Sequence, residues 1–291
     1  MTAIAIGTAQ FGLNYGATNS VGMMSRDEAQ GIIDLARKSG ITHLDTAIAY
    51  GASEETLGEI GIRDFKITSK LPRLDPTDKT IRATVLKQVE ESLKRLKIDS
   101  IECFLLHSPS DLMGASGDQL WTTLLELVDE RIATRVGISV YSCTDAQNII
   151  RKFAVTAVQC PFNFFDRGAM DPVFMRSISE NNIELQIRSI FLQGILLCDP
   201  ERRPKYFDRW DDLFQKWDLW TESDSELRLK ECLAFALHFE QAAKVIVGVD
   251  STDQLRKIID AQSYSLSEKF PKISGAALAL TDPRIWNLSE G

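Results

Sequence analysis

Residues 41–61 read ITHLDTAIAYGASEETLGEIG. The segment opens on a short apolar run, Ile41 to Asp45. It crosses a loop of small residues and enters a helical pattern at Ser53 that stops at Gly61. Serine followed by acids is a common helix start, and glycine a common stop. A strand, a loop and a helix in succession make one βα unit.

The same unit recurs along the chain. Apolar runs AIAIG (3–7), ITHLD (41–45), FKITSK (65–70), IECFLLH (101–107), ATRVGIS (133–139), TAVQC (156–160), IELQIR (183–188) and KVIVGV (244–249) alternate with helical patterns such as SRDEAQGIIDLARKSG and GDQLWTTLLELVDE. Eight such units in 291 residues predict a (β/α)8 TIM barrel, a single domain whose parallel strands are buried on both faces. A doubly wound sheet would be expected to carry a glycine-rich turn after an early strand, and no GxGxxG occurs. One stretch breaks the alternation: LCDPERRPKYFDRWDDLFQKWDLWTESD, 197–224, far longer than a usual βα loop. The spacing of Trp210, Phe214 and Trp217 suggests a helical face. The insertion reads either as a surface helix with its own minor core or as a lid over the barrel mouth. In the second case Arg202, Arg203 and Lys205 would meet a pyrophosphate, and Trp210 and Trp217 would supply apolar cover.

Composition narrows the function classes. The net charge is −8, which argues against nucleic acid or an anionic membrane as partner. No apolar run approaches the length of a membrane span. The opening MTAIAIGTAQFG has no basic region, long apolar stretch or cleavage site, so a cytoplasmic protein is expected. The five cysteines are scattered without a CxxC pair, and the three histidines lack finger-like spacing, so neither a disulfide framework nor a metal site is expected. A monomer or weak homo-oligomer acting on a small molecule fits these features.

In a barrel, catalytic side chains stand at the C-terminal ends of strands. Asp45 ends the second apolar run and Tyr50 lies in the following loop. Lys70 ends the third, in ITSKLP, and His107 ends the fourth, in FLLHSP. Taken singly each has a bland account: a turn aspartate, an interface tyrosine, a solvated lysine, a core histidine. Together they occupy consecutive strand ends and would converge on one mouth. A phenol beside an ammonium is a tunable proton donor, an adjacent carboxylate keeps the ammonium charged, and an imidazole can orient a substrate oxygen. The set has no good nucleophile and no metal cage. It suits carbonyl reduction.

With these residues in hand, the chain resembles the aldo-keto reductases over roughly residues 4 to 260. LDTAIAYGASEETLG resembles the family's Asp-Thr-Ala…Tyr-Gly-x-Ser-Glu signature, and ITSKLP and FLLHSP its lysine and histidine segments. GTAQFGLNYG is similar to the first strand and loop of bacterial members. The resemblance implies that Asp45, Tyr50, Lys70 and His107 form the catalytic tetrad. It implies cofactor contacts from Ser139 in VGISVYS, Gln159 in VQCPFNFFDR, Arg188 and Gly194 in IRSIFLQGIL, and Gly248, Ser251 and Gln254 in VIVGVDSTDQL. Ser139 and Gln159 would meet the nicotinamide carboxamide and Arg188 the ring face. Several positions depart from the family pattern. Val140 replaces an asparagine, Phe162 a tyrosine, Ile190-Phe191 a proline-leucine, and Lys257-Ile258 a glutamate-asparagine. The implied cofactor is NADP(H), with NAD(H) left open because no decisive cation stands at the matched position.

Two other readings remain at this point. A barrel of this kind could bind nicotinamide yet serve as a non-catalytic, redox-sensing or regulatory subunit. Lys70 could instead form a Schiff base in a cofactor-free lyase, which would require a lysine without a carboxylate beside it.

Overall fold

The computed structural model describes residues 2–18, 22–75, 77–78, 80–267 and 278–288. Eight parallel strands close into a barrel in chain order. They are β1 (Ala3–Gly7), β2 (His43–Asp45), β3 (Lys66–Leu71), β4 (Ile101–Leu106), β5 (Ala133–Ser139), β6 (Ala157–Pro161), β7 (Glu184–Arg188) and β8 (Lys244–Gly248). β8 returns to pair with β1, Gly248 against Gly7, and Gly7 also pairs with Asp45. The ends of β8, β1 and β2 are therefore level at one rim, which becomes the site.

The intervening helices are α1 (Arg26–Lys38), α2 (Ser53–Ile60), α3 (Ile81–Leu96), α4 (Gly117–Asp129), α5 (Cys143–Ile150), α6 (Pro172–Glu180), α7 (Asp211–Trp220), α8 (Ser225–Leu237) and α9 (Thr252–Ala261), followed by the short α10 (Leu278–Thr281). Their apolar stripes bury Ile32 and Ile33, Leu120, Leu124 and Leu127, and Leu255 and Ile258 against the strands. Side-chain caps form at Ser25, Ser142, Asp171, Asp224 and Ser251. α2 is different: its N-cap is Ala52, and Ser53 turns its hydroxyl elsewhere.

The barrel interior is partly polar. The Gln159 amide donates to Asp45 (2.7 Å) and to Gln186 (3.2 Å), and Gln186 donates to Glu184 (2.8 Å). Lys244 closes the ladder on Glu184 at 2.6 Å. Each member has a partner, as burial of polar groups demands.

The insertion is a packed annex. α7 buries Phe214 and Trp217; the Trp217 indole donates to the Leu196 carbonyl (3.1 Å), and its ring lies 5.0 Å from Phe164. Phe207 meets Trp286, bringing the chain's last described segment onto the annex. Trp217 is thus an anchor in the core, not cover for a cleft. Arg203 is likewise turned inward, 2.9 Å from Asp218 and stacked over Phe214, and Asp218 also holds the fully buried Arg228.

Candidate active site

The loop after β2 is set by close backbone packing. Gly51 has φ of +54°, a conformation that favours glycine, and a Cβ there would meet the Gly12 carbonyl at 2.3 Å. Conversely, a Cβ on Gly12 would meet the Tyr50 carbonyl at 2.0 Å. Ser53 and Glu54 anchor the far side of the loop. The Ser53 hydroxyl donates to the Thr8 carbonyl (2.8 Å), tying α2 to the end of β1. Glu54 is buried and accepts from Ser69 on β3 (2.8 Å), Ser92 on α3 (2.7 Å) and both faces of the Arg95 fork (2.9 and 2.7 Å). The Ser-Glu pair of the opening stretch is therefore structural: it fixes the helix that follows Tyr50.

The four expected polar residues do converge. Lys70 Nζ lies 2.6 Å from Asp45 Oδ1 and donates to the Thr46 carbonyl at 2.9 Å, with both partner side chains almost fully buried. The ammonium stands 5.2 Å from the Tyr50 ring centroid. Tyr50 and His107 meet edge to face, ring centroids 5.7 Å apart and planes at 79°. Burial pushes the Tyr50 phenol well above the usual tyrosine range; the Asp45 carboxylate adds to this and the Arg188 guanidinium opposes it. The resting phenol is therefore a neutral donor. Burial, then Lys70, then Arg188, pull the His107 imidazole down to about 4, so it is neutral at physiological pH. With its ammonium held by a carboxylate and a carbonyl, Lys70 is poorly placed as a Schiff-base amine.

A cleft of about 750 Å³ starts at Tyr50 and Asp45 and passes the strand ends at Gly7, Thr8 and Gly248 to Asp250 and Gln254. Its other wall is the segment after β7, from Arg188 through Gly194 to Asp199 and Arg202. The volume lies within the range of small-molecule and cofactor pockets. Glycines at the ends of β1 and β8 keep the floor low, since a Cβ on Gly248 would press on Gln10 at 3.0 Å. An extended dinucleotide fits such a trough. Among the expected cofactor residues, Arg188, Gly194, Gly248 and Gln254 line it. Ser139 and Gln159 are brought together beneath the mouth, Ser139 donating to Gln159 at 3.4 Å, but the Gln159 amide is engaged with Asp45 and Gln186. Ser251 caps α9. Arg188 is clamped to the Val140 carbonyl (2.9 Å) and stacked on Tyr141, which Arg284 covers at 3.9 Å from its centroid. Of the arginines expected at a pyrophosphate, Arg202 lines the cleft and Arg203 does not, because Asp218 holds it in the annex.

Comparison with known proteins gives the family. A model of the aldo/keto reductase family matches residues 3–274. This chain belongs to the aldo/keto reductase family. It is 27% identical over 304 residues to the aldo-keto reductase YhdN of Bacillus subtilis, covering 98% of this chain and 87% of that protein. It is 25% identical over 303 residues to a D-threo-aldose 1-dehydrogenase of a Pseudomonas species, covering 87% and 89%. Among solved structures, the fold is shared with the holo form of the aldo-keto reductase AKR11C1 from Bacillus halodurans, at a TM-score of 0.71 and 20% identity over 91% of this chain and 88% of that one. Aldo/keto reductases are oxidoreductases that reduce carbonyls with a nicotinamide cofactor, and this chain is an enzyme of that class. Among the described residues, no cluster of His, Cys, Asp and Glu could hold a metal ion, and no helix is long and apolar enough to cross a membrane.

Sequence reading missed two aromatic residues of this aldo/keto reductase site. Tyr15 lies 6.4 Å from Tyr50, accepts from Gln193 at 2.7 Å, and is pushed up to about 12, chiefly by burial. Its signal was an aromatic between glycines in GLNYG. Tyr141 stands between two arginines, and nothing local in its sequence marks it.

Proposed function

We propose that the chain reduces an aldehyde, ketone or sugar-like carbonyl to the alcohol with Tyr50 as general acid. The observation that carries this reading is the Tyr50–His107 pair at the cleft end, above the buried Lys70–Asp45 ion pair. When bound, a reduced nicotinamide supplies the hydride to the carbonyl carbon. As negative charge builds on the carbonyl oxygen, the Tyr50 phenol gives up its proton to it. Lys70 and Arg188 are the cations near enough to stabilise the resulting phenolate, and Asp45 keeps Lys70 charged. Neutral His107 donates one hydrogen bond to the same oxygen and orients it, with no charge of its own to compete. Arg188, Gly194, Gly248 and Gln254 would hold the dinucleotide along the trough, with Arg202 toward its diphosphate. Ser139 and Gln159 act a step behind, holding Asp45 in place.

The polar, aromatic mouth lined by Tyr15, Tyr50 and Arg188 favours hydroxylated carbonyl compounds, and one relative is named as an aldose dehydrogenase. The test is a panel of aldehydes, ketones and aldoses, followed by loss of reduced-nicotinamide absorbance. Turnover that Tyr50→Phe abolishes while dinucleotide binding persists is the expected result. Dinucleotide binding with no turnover on any carbonyl would leave a nicotinamide sensor instead.

A further inference from the structure

The chemistry at the far end of the trough differs from that at the Tyr50 end. The trough leaves β8 at Gly248 and ends at Asp250 and Gln254, beside the start of α9. A helix N-terminus normally attracts anions. Here it is already occupied by the protein's own acceptors. The Glu28 carboxylate, from α1, accepts the Thr252 backbone N–H. The Ser251 hydroxyl accepts from Gln254 N–H at 3.1 Å, and the Gln254 side-chain oxygen accepts from Asp250 N–H at 2.6 Å. The side chain of Asp250, which Gln10 hydrogen-bonds, lines the trough itself. Asp253 adds another acid in the first turn and holds Arg256 at 2.6 Å, turned toward solvent. Among the described residues lining the trough the cations are Arg188 and Arg202, and Arg188 is clamped beside Tyr141 at the mouth.

A dinucleotide whose nicotinamide reaches Tyr50 must lay its adenosine half toward this acidic end. NADH and NADPH differ there by one phosphate on the adenosine ribose. That phosphate carries close to two negative charges at neutral pH. Without it the ribose presents two hydroxyl donors, for which an ionised carboxylate is the matching acceptor. An acid on the ribose diol is how other dinucleotide folds select the unphosphorylated cofactor, and an arginine is how they accept the phosphate. We propose that this reductase takes NADH in preference to NADPH, and that Asp250 sets the choice by accepting from the adenosine ribose and repelling a phosphate on it. Arg202 is then left to the diphosphate that both cofactors share. The inference rests on the nicotinamide-binding reading of the cleft and adds which nicotinamide it is.

The experiment is direct titration of the full chain by calorimetry with NADH, NADPH, ADP-ribose and 2′-phospho-ADP-ribose, so that no turnover is needed. The wild type should bind each unphosphorylated ligand more tightly than its phosphorylated partner by on the order of tenfold or more. Asp250→Asn, which keeps the size of the side chain and removes its charge, should bring both ratios toward unity. Added salt should narrow the wild-type ratio by screening the repulsion. NADPH binding as tightly as NADH to the wild type, or a ratio that Asp250→Asn leaves unchanged, would overturn the proposal. Failure to bind any of the four would sink the underlying reductase reading instead.

Discussion

The neutral His107 imidazole makes a quantitative demand on stability. In the folded chain, burial, Lys70 and Arg188 hold its pKa at about 4, against 6.5 for an unhindered histidine. Between those values the unfolded chain binds a proton that the folded chain refuses. The unfolded state therefore holds more protons there, and stability must fall as pH drops from 6.5 toward 4. The full shift corresponds to about 3 kcal/mol, of which about 2.5 kcal/mol is lost between about pH 7.5 and about pH 4.5. Carboxylates titrate across part of this window as well, so the measurement is a difference of differences. Urea denaturation of wild type and His107→Gln is run at both pH values, and the loss on acidification is compared. Glutamine does not titrate, so the variant should lose about 2.5 kcal/mol less than the wild type on acidification. Parallel losses in the two proteins would refute the picture of a half-buried neutral imidazole facing two cations, and with it the role of His107 as an uncharged donor.

Three further outcomes are expected. Tyr50→Phe should keep dinucleotide affinity and lose about 10²–10⁴ in carbonyl turnover, the usual worth of a general acid; a variant reducing its best substrate at the wild-type rate would displace Tyr50 from that role. Lys70→Met leaves the Asp45 carboxylate buried without its ammonium, so unfolding free energy at neutral pH should drop by about 3–5 kcal/mol, whereas a drop below about 1 kcal/mol would mean that the pair is not buried as described. Glu54→Ala strips Ser69, Ser92 and Arg95 of a common acceptor and should cost about 3 kcal/mol, together with a loss of turnover as the Tyr50 loop slackens; unchanged stability would remove Glu54 as the anchor of that loop.

The frame of the site could be read from the chain because it depends on local pattern. Short apolar runs alternating with helical patterns located all eight strands to within a residue or two, since burial on both faces leaves little else for such runs to do. Once the barrel was inferred, Asp45, Lys70 and His107 had to share a rim, because the C-terminal ends of parallel strands do. What could not be read were contacts between residues distant in sequence. Gln159 resembles a cofactor ligand by its motif, yet the bond that fixes its amide runs to Asp45, 114 positions away. Ser53 looks like a helix cap, but Thr8 outbids the helix for its hydroxyl. Periodicity reports that a side chain is buried and is silent about its partner.

The paired arginines of the insertion show the same limit at its sharpest. Arg202 and Arg203 are adjacent and alike, and sequence alone gives both to a pyrophosphate. Arg202 closes a short 3-10 turn, and Arg203 opens extended backbone at φ −71° and ψ 130°, so the two side chains leave the chain in different directions. Which one turns inward is decided by Asp218 on α7, fifteen positions on, which takes Arg203 and Arg228 together and leaves Arg202 on the cleft wall. The annex thus does two jobs through neighbouring residues of one type. Arg203 braces α7 from within through Asp218, which also reaches Arg228 on α8, while Arg202 is offered as a cation to the trough. The split has a direct consequence: Arg202→Ala should weaken dinucleotide binding in a salt-sensitive way with little change in stability. Arg203→Ala should do the reverse, destabilising the annex because Asp218 and its neighbours lose a buried partner. Were the two substitutions to give the same pattern, in either binding or stability, the division of labour drawn from Asp218 would be wrong.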